Sequence, residues 1–103
     1  MSTSPASLRP AHPGTRLQRL LKERGITAYR CAADIDVPKP RVYELVKGLS
    51  SVTPPMALRL GVYFGDGPEI WMAEQARFDL ARQQAELKAD LAAIRPLPLL
   101  AAS

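Results

Sequence analysis

Thr27 to Gly48 reads TAYRCAADIDVPKPRVYELVKG, and its pattern decides the fold. Thr27 is a natural N-cap, and Cys31, Ala32 and Ile35 recur at the spacing of one inward-facing helical stripe. Asp36 then offers a residue that tolerates the left-handed conformation of a tight turn. Val37 and Pro38 lead into a second helix. Prolines at 38 and 40 are acceptable there because the first turn contains N–H groups that have no intrahelical partner. On a helical wheel Val42, Leu45 and Val46 turn inward; Pro40, Glu44 and Lys47 turn outward, with Arg41 and Tyr43 on their flanks. Two short helices joined by a tight turn, the second basic and facing water, match the way a protein lays a helix in the major groove of DNA.

The outward residue types suit that task. Arg41 and Lys47 are donors for guanine or phosphate, whereas Glu44 either accepts from a cytosine amino group or holds Arg41 and Lys47 in place from three residues on either side. Tyr29, Arg30 and Lys39 extend the same surface. Arg30 stands where a capping box would place Glu or Gln, an unfavourable sign beside a helix N-terminus that a nearby phosphate would reverse; alternatively it is a solvated side chain. The candidate DNA-binding set is therefore Tyr29, Arg30, Lys39, Pro40, Arg41, Tyr43, Glu44 and Lys47.

Charge is distributed in agreement with this. The chain of 103 residues carries a formal net charge of +4, and residues 1–50 hold nine Lys/Arg against four Asp/Glu, whereas residues 51–103 hold five against six. The basic excess belongs to the half with the two-helix stretch, as expected of an electrostatic footprint for a polyanion. The length fits a single core. A lone cysteine, Cys31, allows no intramolecular disulfide, and no apolar run reaches the roughly 18 to 20 residues that cross a bilayer. A reducing cytoplasm, with no signal peptide and no membrane partner, is the expected setting.

Outward from the central stretch, Leu17, Leu20 and Leu21 predict a first helix after Pro13 and Gly14, closed by Gly25. Thr53 with Pro54 and Pro55 opens a fourth helix, in which Met56, Ala57, Leu60, Val62, Tyr63 and Phe64 place apolar groups around most of the circumference, leaving Arg59 as the outlet to water. Pro68 and Glu69 open a fifth, expected to run to about Ile94 before Pro96 and Pro98 forbid it. Ile70, Trp71 and Phe78 are positioned to close the core. Beyond them Leu80, Leu87, Leu91 and Ile94 form a second stripe, interrupted only by Gln84, that needs either a partner chain, as a dimer interface, or a fold-back onto its own domain. The expectation is an all-α, compact five-helix domain over residues 12–95, with flexible segments at 1–11 and 96–103.

Catalytic and cofactor chemistry find no support in the pattern. His12 stands alone beside Pro13 and reads as a loop residue; Cys31 reads as a small core side chain. Glycines 48, 61, 65 and 67 do not make a phosphate-cradling spacing, and Trp71 with Phe78 reads as core closure rather than a ligand pocket. No enzyme activity, cofactor or metal is expected.

The order of motifs resembles the HigA-type antitoxins of bacterial addiction modules, within the Xre-like, lambda-repressor-like helix-turn-helix class. The likeness lies in RPAHPG at Arg9 to Gly14, ITAYRCAADIDVPKPRVYELVKG at Ile26 to Gly48, TPPMALRLGVYFG at Thr53 to Gly65 and PEIWMAEQARFDL at Pro68 to Leu80. The resemblance implies a homodimer that binds a palindromic operator overlapping its own promoter and neutralises a cognate HigB toxin, an mRNA-cleaving ribonuclease of the RelE type. Carried over, it makes Lys39, Pro40, Arg41, Tyr43, Glu44 and Lys47 the groove-facing set and Val37, Val42 and Leu45 its support. Asp36 departs from the usual turn glycine, Cys31 from the usual leucine, and Ala28 from the polar residue that often grips phosphate. Two other readings stay open: a stand-alone Xre-type repressor, and a toxin-binding interaction module with weak DNA binding.

Overall fold

Helix boundaries follow from local chemistry at most ends. The computed structural model describes residues 9–99, which form α1 (Pro13–Arg24), α2 (Ala28–Ile35), α3 (Lys39–Val46), α4 (Pro54–Phe64), α5 (Pro68–Glu86) and α6 (Lys88–Ala92), with no strand among the described residues. Helix α1 ends on Gly25 in the left-handed region (φ 63°), and the Ile26 N–H closes back on the Leu21 carbonyl at 2.9 Å. Asp36 does the same for α2 at φ 60°, with Val37 N–H donating to Ala32 O at 3.0 Å, so an aspartate performs the turn usually given to glycine. Thr27 and Thr53 cap α2 and α4, accepting from Arg30 N and Met56 N.

The core lies between α1, α2, α3, α4 and the first half of α5, with Cys31 and Ala32 as the contribution of α2 that is wholly buried. Leu17, Val42, Leu45, Leu60 and Trp71 are wholly buried there, and Val52 in the α3–α4 loop closes one end. Two glycines permit the closest approaches. A Cβ on Gly14 would sit on the Leu45 carbonyl, where α1 meets the end of α3; one on Gly61 would stand 2.6 Å from Gly67 C and Pro68 N, where α4 meets the start of α5. Polar side chains tie the layers together around Trp71. Its indole N–H donates to Asp66 Oδ1 at 2.9 Å, and Arg16 donates to Asp66 Oδ2 and Glu74 Oε2 while its guanidinium lies 5.5 Å from the Trp71 ring centroid. Gln75, buried on α5, accepts from Val52 N at 2.8 Å and donates to Asp79 at 3.0 Å, fixing the loop that follows α3.

Four sequence expectations need correction. His12 is not a bare loop residue: its Nδ1 accepts from Gly14 N at 2.9 Å as the N-cap of α1, and its ring meets Phe78 edge-on at 5.0 Å. Helix α4 is not buried all round, because Leu58 (57% exposed) and Val62 (84%) stand one turn apart on its outer side. Arg59 on that helix is not merely an outlet to water; its Nη1 donates to the Ile35 carbonyl at 2.6 Å, satisfying an end group of α2. Finally, the last helix does not run unbroken to Ile94. Leu87 (φ −98°, ψ 11°) separates α5 from the short α6. No proline or glycine lies there, but every residue from Arg82 to Leu99 is exposed, so no packing holds the turns in line.

The arm so formed gives a Cα radius of gyration of 17.8 Å, against about 13 Å for a compact chain of this size. Residues 96–99 have no regular structure and are exposed. The expected flexible segments at 1–11 and 96–103 lie partly outside the described residues.

Gly61→Ala is expected to destabilise the fold by about 1–3 kcal/mol, because backbone rather than a flexible side chain blocks the added methyl. Urea unfolding measures this; an unchanged midpoint would mean that α4 and α5 are not in such close contact.

Candidate nucleic-acid interface

The inner face of α3 is anchored before its outer face can serve any purpose. Val42 and Leu45 are completely buried, and the α1 N-terminus at Gly14 abuts the Leu45 carbonyl. The opposite side is then left in water: Lys39, Pro40, Arg41, Tyr43, Glu44 and Lys47 are all exposed. Pro38 and Pro40 start the helix without a side-chain cap, and Arg41 N donates to Pro38 O at 3.0 Å in a tight first turn. With those two N–H groups absent, side chains are left as the main donors of this surface.

On α2 the two predicted residues have different surroundings. The Lys39 ammonium lies 3.7 Å from the centroid of the Tyr29 ring, joining the first turns of α2 and α3. Arg30 turns the other way, its Nε donating to Asp34 Oδ2 at 3.3 Å, and the same oxygen accepts from Tyr63 OH at 2.6 Å. Tyr63 and Arg59 on α4 thus clamp the C-terminal end of α2. Arg41, Glu44 and Lys47 make no ion pair among the described residues, so the option of Glu44 bracing its neighbours is not realised here and its carboxylate is open to solvent.

Titration reflects these contacts. The Tyr29 phenol is lowered from its ordinary value, first by polar contact with Lys39 and then by the ammonium charge. Tyr63 is pushed up to about 12, chiefly by burial and then by its hydrogen bond to Asp34. Burial, with Asp34 second, raises the Cys31 thiol to about 11, which leaves a fully buried thiol in its neutral, unreactive form. Among the described residues no cluster of His, Cys, Asp and Glu could hold a metal.

The remaining sequence candidates form a separate feature. Leu80, Leu87, Leu91 and Ile94 are 63%, 39%, 46% and 63% exposed along the α5–α6 arm, so the stripe does not fold back on its own domain. Leu49 (74% exposed), in the loop after α3, is a further apolar surface residue that periodicity could not reveal. No described helix is long and apolar enough to cross a membrane.

No protein-family model matches the chain. Solved structures do. The Pseudomonas aeruginosa antitoxin HigA, determined with the higBA promoter, superposes with a TM-score of 0.83 at 33% identity over 87% of this chain and 100% of that one. The chain belongs to the HigA-type antitoxin family. Antitoxin GraA in complex with its operator is similar over 96% of this chain and 99% of that one, with a TM-score of 0.82 at 28% identity. Virulence-associated proteins A′ and I of Dichelobacter nodosus are 32% and 36% identical over 74 and 70 residues, 71% and 67% of this chain. The chain spans 64% and 65% of the lengths of those two relatives. Membership of this family agrees with the all-helical fold and with the helix-turn-helix placed at α2 and α3.

The Tyr63–Asp34 clamp has a pH signature. Because burial and, second, the bond to Asp34 hold the folded-state pKa of Tyr63 above its ordinary value of 10.0, the stability linked to its protonated phenol is fully present below pH 10 and is lost as pH rises through about 12. Tyr63→Phe is expected to lose less stability over that window than the unsubstituted chain, as read by alkaline unfolding followed by circular dichroism. Equal slopes would show that folding does not raise the Tyr63 phenol above its ordinary value.

Proposed function

We propose that this protein is a sequence-specific DNA-binding antitoxin that represses its own toxin–antitoxin operon and neutralises a RelE-like, HigB-type mRNA-cleaving toxin. One observation supports the DNA half most strongly: a rigidly anchored α3 presents Arg41, Tyr43, Glu44 and Lys47 to water, in a fold shared with an antitoxin solved with promoter DNA. Tyr29, Arg30, Lys39 and Pro40 complete the binding surface. Guanidinium and ammonium groups neutralise phosphates or read guanine, and the unpaired Glu44 carboxylate accepts from a cytosine amino group. The working domain spans residues 12–95. It acts in the cytoplasm as a binding protein, not an enzyme, and without a cofactor.

A palindromic operator needs two copies, with reading helices about 34 Å apart. In this proposal the exposed stripe of Leu80, Leu87, Leu91 and Ile94 pairs with its counterpart in a homodimer, which removes apolar side chains from water on an arm that has no packing of its own. The same stripe supports a second reading, a toxin-binding interaction module with weak DNA contact. Salt dependence separates the two. A reader that neutralises several phosphates loses affinity steeply as salt rises, whereas an interaction module has no specific site on the upstream DNA.

Arg41→Ala is expected to lose about 1–3 kcal/mol of binding to the DNA upstream of the chain's own reading frame, with relaxed specificity at one base position. Titration by fluorescence anisotropy checks it, and an unchanged affinity and footprint would remove Arg41 from the base-reading set. Truncation after Leu80 should leave a monomer in sedimentation experiments. A persistent dimer would exclude the arm as the interface.

A further inference from the structure

We propose that Tyr29 is a positioning residue: its ring face holds the Lys39 ammonium across the opening between the first turns of α2 and α3, presetting that charge for a DNA phosphate. The inference rests on the DNA-binding reading above and goes beyond it by giving these two residues one joint task. The geometry carries it. Lys39 Nζ is 3.7 Å from the Tyr29 centroid, well inside the roughly 6 Å at which a cation is attracted by an aromatic face. Tyr29 is 53% exposed, so its ring is not needed to fill the core, and Lys39 makes no ion pair among the described residues.

The physical benefit lies in entropy. A free lysine has four rotatable bonds to fix before its ammonium can meet a phosphate, and ordering such a side chain is costly. A ring that holds the ammonium in place beforehand removes part of that cost without neutralising the charge, as a carboxylate partner would. The contrast with Arg30 is instructive. Arg30 is held by Asp34, so a phosphate must compete with an anion for it; Lys39 is held by a neutral ring and keeps its full charge for an approaching polyanion. The two N–H groups that Pro38 and Pro40 lack at the start of α3 make a preset side-chain donor there more valuable. The same contact with Lys39 lowers the Tyr29 phenol from its ordinary value, which gives the pair a signature that can be read in the free protein.

Two measurements test this. First, following the Tyr29 Cζ resonance against pH in the free protein should show a phenol below its ordinary range that returns toward it in Lys39→Gln. Second, affinity is measured for a duplex of the DNA upstream of the chain's own reading frame, with a shuffled duplex as control. Tyr29→Leu should weaken binding about two- to fivefold, and Tyr29→Phe, which keeps the ring face, should recover most of that loss. Lys39→Gln should reduce the salt slope by about one, and should cost less in the Tyr29→Leu background than alone. A Tyr29 titration unaffected by Lys39→Gln would overturn the pairing. Independent, additive effects of the two substitutions would overturn the positioning role while leaving DNA binding intact. Absence of any preference for the upstream duplex in the unsubstituted protein would overturn the DNA-binding reading and this role with it, and the resonance titration would still report on the contact itself.

Discussion

Burial of the inner face of α3 is the constraint on which the rest of the structure depends. Val42 and Leu45 have no exposed surface, and Gly14 lets the start of α1 come against the Leu45 carbonyl more closely than any side chain would allow. A helix of eight residues has little stability of its own. Packed on one side by α1 and held at its far end by the loop that Gln75 grips through Val52, it becomes a fixed platform with one face to water. The charges on that face owe their common orientation to this packing, and their chemistry to being left unpaired by it.

The same logic extends to α2. Its first turn carries Tyr29 and Arg30, and its last turn is held from α4 by Arg59 and Tyr63. Anchoring a short helix at the end away from Tyr29 and Arg30 fixes its direction without covering them. The Trp71, Asp66, Arg16 and Glu74 network does the equivalent for α1 and α5 by joining two helices and the turn before α5 through partly buried charges that are all matched. The partly buried polar groups thus serve orientation, while Lys39, Arg41 and Lys47 on α3 and its C-terminal end make no ion pair among the described residues.

Much of this was legible in the sequence because it depends on local chemistry. Thr27, Thr53 and Gly25 mark helix ends by their own capping or left-handed preference, and apolar residues three and four apart, Leu17, Leu20 and Leu21 in α1 and Val42, Leu45 and Val46 in α3, name the inward side. Asp36 shows that a turn can be recognised from position even when its usual residue is replaced. What was not legible depends on where a neighbouring element lands. His12 becomes a cap only because Gly14 follows it into α1, and Phe78 meets it only after α5 has crossed. Gln75 resembles any surface glutamine until the α3–α4 loop is placed over it. Val62 is as apolar as its core neighbours, yet with Leu58 it lies on the side of α4 away from Ala57, Leu60 and Phe64, the side that packs inward. The break at Leu87 has no residue signature at all; it reflects missing packing. In the candidate site, the outward residues were readable from the wheel, whereas the Tyr29–Lys39 contact and the diversion of Arg30 to Asp34 required three-dimensional geometry.

We propose that the exposed face of α3, with the first turn of α2, meets nucleic acid, while the α5–α6 arm serves association between copies. Backbone amide shifts recorded while the upstream duplex is added test this most directly. Perturbations concentrated at residues 27–30 and 39–48, with the arm beyond Leu80 little changed, are the predicted result. Shifts confined to α5 and α6, with α3 unmoved, would contradict it.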